Sequence, residues 1–121
     1  MKNSEITAIT NAIPLAPETK LPIAAAWARR LNLKKLQEAR QNIDEAVRDL
    51  NKDMIDSGKV IDEGEGQYKI KDECMPEYTA RMKELMDLDQ EIEIRKVKIE
   101  DLGDISVSEA EMDALMFMLE E

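Results

Sequence analysis

The stretch PIAAAWARRLNLKKLQEARQNIDEAVRDLNKDMIDSG, from Pro22 to Gly58, decides the fold. Its apolar positions are Ile23, Trp27, Leu31, Leu33, Leu36, Ala39, Ile43, Val47, Leu50 and Met54. From Leu36 onward the intervals are three, four, four, three and four residues, which places one apolar stripe along an α-helix. Proline costs nothing in a first helical turn, and Gly58 can adopt the left-handed conformation that stops a helix. The spacing predicts one helix over 22–57, a rod of roughly 54 Å. Such a rod cannot bury its stripe alone, so it requires other helices of the chain or a second subunit.

Working outward, Ser4 is placed to cap a short helix over 4–13 carrying Ile6, Ile9 and Ile13, which Pro14 and Pro17 end. Residues 59–71 change period around Glu63-Gly64-Glu65-Gly66 and read as a β-hairpin, or a turn with one strand. Pro76 marks the first turn of a helix over 76–89, with Tyr78, Met82, Leu85, Met86 and Leu88 on its apolar side. In 91–99, Ile92 and Ile94 alternate with charge, as do Val97 and Ile99, with a phase break at Arg95-Lys96. That pattern favours a strand with a bulge, although Leu85, Leu88, Ile92 and Ile99 could continue the helix. Ser108 and Glu111 fit a capping box that opens a helix over 108–119. The expected fold is mainly α: a long central helix in an antiparallel helical arrangement, with short N- and C-terminal helices. A minor antiparallel β element is expected to join residues near 67–71 to those near 91–99.

At 121 residues and 43% hydrophobic content, the chain has the size of a single domain, 1–121. It contains no histidine and one cysteine, Cys74, which excludes His-based triads, His-ligated metals and an internal disulfide. Inert burial is expected of Cys74. The net charge is −10, distributed unevenly: residues 24–52 carry seven basic against four acidic groups, and residues 53–121 carry eight against 21. Duplex nucleic acid and anionic membrane are therefore not expected partners. The longest strongly apolar run, Leu21 to Trp27, is far shorter than the roughly 20 residues that span a bilayer. The N-terminus lacks a secretory pattern, and a lone thiol suits a reducing compartment, so the cytoplasm is the expected location.

Three groups of residues are candidate sites. Arg29, Arg30, Lys34 and Lys35 occupy about one and a half helical turns and could hold a small anionic ligand or an acidic partner. Asp87, Asp89, Glu91 and Glu93 form the densest alternating carboxylate run, a candidate acidic face for a basic partner. This run lacks the glycine and glutamate spacing of a calcium loop, and neither a metal nor a catalytic role is expected of it. Trp27, Met112, Met116 and Phe117 are candidates for an apolar interface, with Trp27 on the stripe expected in the core. The acidic glycine turn reads as a plain turn, since phosphate loops avoid carboxylates beside the anion.

Three stretches together carry a resemblance. Leu21-Pro22-Ile23-Ala24-Ala25-Ala26-Trp27 leads through Arg29-Arg30-Leu31-Asn32-Leu33-Lys34-Lys35-Leu36 into a Glu/Arg-rich helix. Glu63-Gly64-Glu65-Gly66-Gln67-Tyr68 follows, and then Glu91 to Ile99 leads to Ser106-Val107-Ser108-Glu109-Ala110-Glu111 and the Met-rich end. This resembles a family of small phage and prophage proteins of Gram-positive bacteria, of uncharacterised function, over about residues 4–119 apart from the Pro14–Pro17 stretch. The resemblance implies a phage setting and transfers no catalytic residue. The expectation is a non-enzymatic binding protein without a cofactor, whose partners are a host or phage protein and a second copy of itself. Its role would be that of an acidic inhibitor of a host defence component, anti-CRISPR-like or sequestering a small anionic signal. The alternative is a virion-assembly accessory such as a tail or scaffold chaperone.

Overall fold

In the computed structural model, which describes residues 1–12, 20–103 and 107–120, the predicted rod is helix α2, Ile23–Asp56. Pro22 stands just ahead of it, where no intrahelical N–H is needed. At the other end Gly58 has a φ of 76°. Its N–H bonds the Ile55 carbonyl at 2.9 Å, and the Lys59 N–H bonds that of Met54 at 2.9 Å. These two bonds are a Schellman motif, and only glycine adopts that φ without strain.

The buried face of α2 follows the line Ala25, Ala28, Asn32, Leu36, Ala39, Ile43, Leu50 and Met54, with Val47 half-buried between Ile43 and Leu50 and Asn51 buried beside the line. This is one unbroken series of three- and four-residue steps, but its first half is not the stripe that the large side chains suggested. Ile23 is 89% exposed and Trp27 54% exposed, so Trp27 is not a core residue. The reason is steric. At this end Ala25 and Ala28 allow Leu102, Leu115, Met118 and Leu119 to close on the helix backbone. Trp27 lies about 100° around the helix from Ala28 and turns away.

Three apolar clusters are strung along α2. The first holds Ala25 and Ala28 against the C-terminal residues. The second packs Leu36, Ala39 and Ile43 on Ile6 of helix α1 (Asn3–Thr10), with Met86 and Ile92 at its margin. The third sets Leu50 and Met54 against Val60, with Tyr78 and Met82 of helix α3 (Met75–Asp87). As α2 is followed from Asn51 back to Asn32, its hydrogen-bonded partners advance from Tyr78 to Gln90 to Arg95, so the later chain runs antiparallel to it. The stripe is therefore covered from within the chain, and its length does not by itself require a second subunit.

Smaller expectations are corrected by tertiary contacts. Ser4 is not the cap of α1: the helix begins at Asn3 with Lys2 ahead of it. The buried Asn3 amide sets that start by donating to the Leu85 carbonyl at 2.8 Å, while its oxygen accepts from Gln90 at 2.9 Å. Ile13 and the Pro14–Pro17 stop lie outside the described residues. Pro76 occupies the first turn of α3 as expected, and α3 ends at Asp87 because Leu88 is extended.

Strands β1 (Val60–Gly64) and β2 (Gln67–Ile70) form the antiparallel hairpin, joined by Glu65 and Gly66. Both joining residues have positive φ, 53° and 77°, as a two-residue type I′ turn requires. Helix α4, Glu109–Leu115, opens on the predicted box. Ser108 Oγ accepts from the Glu111 N–H and Glu111 Oε1 accepts from the Ser108 N–H, each at 3.2 Å. A 3-10 turn at Met116–Met118 then replaces the last predicted helical residues.

Residues 91–98 are neither strand nor helix, and Ile99 opens a 3-10 turn, Ile99–Leu102. The side chains alternate as read, with Gln90, Ile92 and Ile94 half-buried and Asp89, Glu91 and Glu93 exposed. No ladder forms, because β2 pairs with β1 and not with this segment. Among the described residues its bridges are isolated ones, Lys2 with Asp89 just before the segment and Val97 with Leu119 within it. The central hydrogen bonds come from α2 instead. Asn32, 0% exposed, donates from Nδ2 to the Arg95 carbonyl at 2.9 Å and accepts the Arg95 N–H on Oδ1 at 2.8 Å. Its side-chain amide thus takes the place of a neighbouring strand.

Cutting Asn32 to alanine removes both side-chain partners of the Arg95 backbone and empties a fully buried position of α2. The Asn32→Ala variant is expected to lose about 2–4 kcal/mol of unfolding free energy in urea, whereas Trp27→Ala loses less than about 1 kcal/mol.

Candidate functional site

The helical period divides the cationic turn. Arg30, Lys34 and Lys35 are exposed, and Lys35 Nζ donates to the Glu93 carbonyl at 2.9 Å, tying down the extended segment. Arg29 turns inward beside Ile9, Leu33 and Phe117. Its Nε is shielded from water and has no hydrogen-bond partner, and Arg29 joins no ion pair among the described residues. Burial pushes its guanidinium pKa below the ordinary value, because removing water disfavours the charged form. The four cations therefore do not form one face. Arg29 stands apart as a cation in a mostly apolar wall, with Thr10 and Gln37 its polar members.

The carboxylate run is held outward. Asp87 ends α3, Asp89 lies 3.9 Å from the Met1 amine, and Glu91 and Glu93 are exposed on the extended segment, bordering a shallow hollow beside Lys35, Glu38 and Asn42 of α2. Among the described residues, no three acidic or thiol groups converge as metal ligands. The hairpin adds exposed Asp62, Glu63 and Glu65, and Asp62 Oδ1 accepts the Gly64 N–H at 2.8 Å in an ordinary turn. The carboxylate run and the hairpin tip are separate places in the chain, and exposed carboxylates also lie on α2, α3 and α4.

The apolar candidates separate likewise. Trp27 and Met116 are exposed, the latter at 58%, while Met112 packs on the first cluster and Phe117 bridges the first and second. Most of the other methionines fill the interior: Met54 and Met118 are fully buried, and Met82 and Met86 pack on clusters. Cys74 is free and half-buried, in the 3-10 turn Asp72–Cys74 that precedes α3, so the burial expected of it is partial.

Sequence reasoning missed two features. Exposed Ile99 lies on the 3-10 turn Ile99–Leu102, where the sequence offered a strand or a continued helix. The hollow between α1 and α4 was also missed, though its signal was present: Ala8 with Ala12 and Ala110 with Ala114 are small-residue pairs at four-residue spacing. No helix among the described residues is long and apolar enough to cross a membrane. No protein-family model, curated protein or solved structure matches the chain.

Two substitutions check these placements. Arg29→Met keeps the side-chain volume and removes an unpartnered donor, so unfolding free energy should rise by about 0.5–2 kcal/mol. Converting Asp87, Asp89, Glu91 and Glu93 together to Asn or Gln should change stability by no more than about 1 kcal/mol, as expected of exposed groups.

Proposed function

We propose that this chain is a non-enzymatic binding protein, an acidic inhibitor that occupies a basic surface on a host defence component. The observation that carries the reading is the outward display of Asp89, Glu91 and Glu93 on an extended segment that continues from Asp87. One carboxylate every two residues of extended chain repeats at about 6.6 Å. That interval is of the same order as the spacing of phosphates along a nucleic-acid strand. A basic channel that binds such a strand is therefore a fitting target. The net −10 charge supports the same partner, because complementary charge steers association. The phage setting and the bacterial cytoplasm rest on the sequence resemblance.

A second reading is favoured by a different observation. Ile23, Trp27 and Met116 are large apolar side chains left in water, and such residues anchor interfaces. They support a virion-assembly accessory, or self-association through the start of α2. Association kinetics with a partner captured from bacterial lysate separate the two. For the inhibitor, association at 0.1 M salt should slow by about tenfold or more when the four carboxylates are neutralised, and high salt should act in the same direction. For the assembly reading, binding should persist in salt and fail in Trp27→Ala or Met116→Ala.

A further inference from the structure

Between α1 and α4, against the side of α2, lie two adjoining hollows of about 400 and 230 Å³. They share Ile9, Ala12, Ala114 and Phe117, and so form one groove. The smaller hollow is the deeper chemically, since Arg29 and Leu33 form part of its wall. We propose that this groove binds a small carboxylic acid with an apolar body, its carboxylate on the Arg29 guanidinium and its body against Ile9, Leu33 and Phe117.

The argument begins with the uncompensated cation. Charges withdrawn from water in proteins are ordinarily paired and hydrogen-bonded. Arg29 is partly withdrawn, yet among the described residues it has neither a counter-ion nor an acceptor for Nε. A guanidinium edge matches a carboxylate in a two-pronged geometry, so one incoming anion could satisfy several donors together. Of the two polar neighbours in the smaller hollow, Gln37 is exposed to water and Thr10 is not available to compete. Thr10 Oγ1 already donates to the Ile6 carbonyl at 2.8 Å and accepts from Arg40 at 2.8 Å.

The rest of the wall selects against other anions. A phosphate dianion would bring more acceptor oxygens than one arginine can serve, and most of the wall it would meet is alanine, isoleucine, leucine and phenylalanine, with Thr10 already hydrogen-bonded and Gln37 at the exposed edge. Asp113 borders the larger hollow and further disfavours multiply charged ligands. A singly charged group on a hydrocarbon or aromatic body fits both features. The combined space is also in the range of small-molecule sites, about 300–1,000 Å³. This inference does not depend on the protein-docking reading, since it uses neither the carboxylate run nor Trp27.

The test titrates the isotope-labelled full chain by NMR with isocaproate and, separately, with the uncharged isocaproamide. The acid is expected to shift the Arg29 Nε–H and the Ala114 and Phe117 amides, and to saturate at a concentration about tenfold lower than the amide. In Arg29→Gln the two ligands should bind alike. In Ala114→Leu, which keeps Arg29 but fills the groove, neither should bind. Equal affinity of the intact chain for acid and amide overturns the proposal. So does an acid response that survives both substitutions, or the absence of any shift at Ala114 and Phe117.

Discussion

One side-chain amide holds the structure to a single arrangement. Asn32 lies fully buried on a helix and exchanges two hydrogen bonds with the backbone of Arg95. An extended segment with no strand beside it must find other partners for its N–H and C=O groups, because leaving them unpaired in the interior costs more than most contacts return. Asn32 supplies both in the middle of the segment, and Lys35 supplies a donor at Glu93. Downstream, the Val97 N–H bonds the Met118 carbonyl and the Val97 carbonyl accepts the Glu120 N–H, each at 2.8 Å. The C-terminal turn is positioned through this segment.

The same device recurs along the molecule. Asn3 takes the Leu85 carbonyl and receives Gln90, whose amide also reaches the Ala39 carbonyl at 3.1 Å. Asn51, buried near the far end of α2, accepts the Tyr78 hydroxyl at 2.9 Å. The apolar clusters contribute burial that is largely indifferent to register, whereas the buried amides specify which residue lies opposite which. Placing Asn32 opposite Arg95 leaves Ile92 and Ile94 on the core side and Glu91 and Glu93 outside. The acidic face proposed to dock a partner is thus a consequence of the internal hydrogen bonding.

Much of the architecture was legible because it follows from periodicity and caps. The three-four spacing from Leu36 to Met54, the Gly58 stop, the hairpin turn and the Ser108–Glu111 box each have one local solution. The first half of α2 misled because isoleucine and tryptophan outweigh alanine on any hydrophobic reading, while close approach of the backbone selects alanine. Asn32 sits on the buried series but is polar, so a search for apolar stripes passes over it. The alternation of 91–99 correctly implied an extended chain and carried no information about pairing partners. The cationic cluster was legible as a group of residues, but its division, with Arg29 inward and Arg30 and Lys34 outward, depends on where α1 and α4 close.

Amide hydrogen exchange at Arg95 tests the central claim most directly. If the Asn32 side chain holds this segment, the Arg95 N–H should exchange slowly, near the limit set by global unfolding, although it belongs to no helix or sheet. An Arg95 amide that exchanges as fast as an unprotected loop N–H, in a chain whose α2 amides remain protected, would contradict the account.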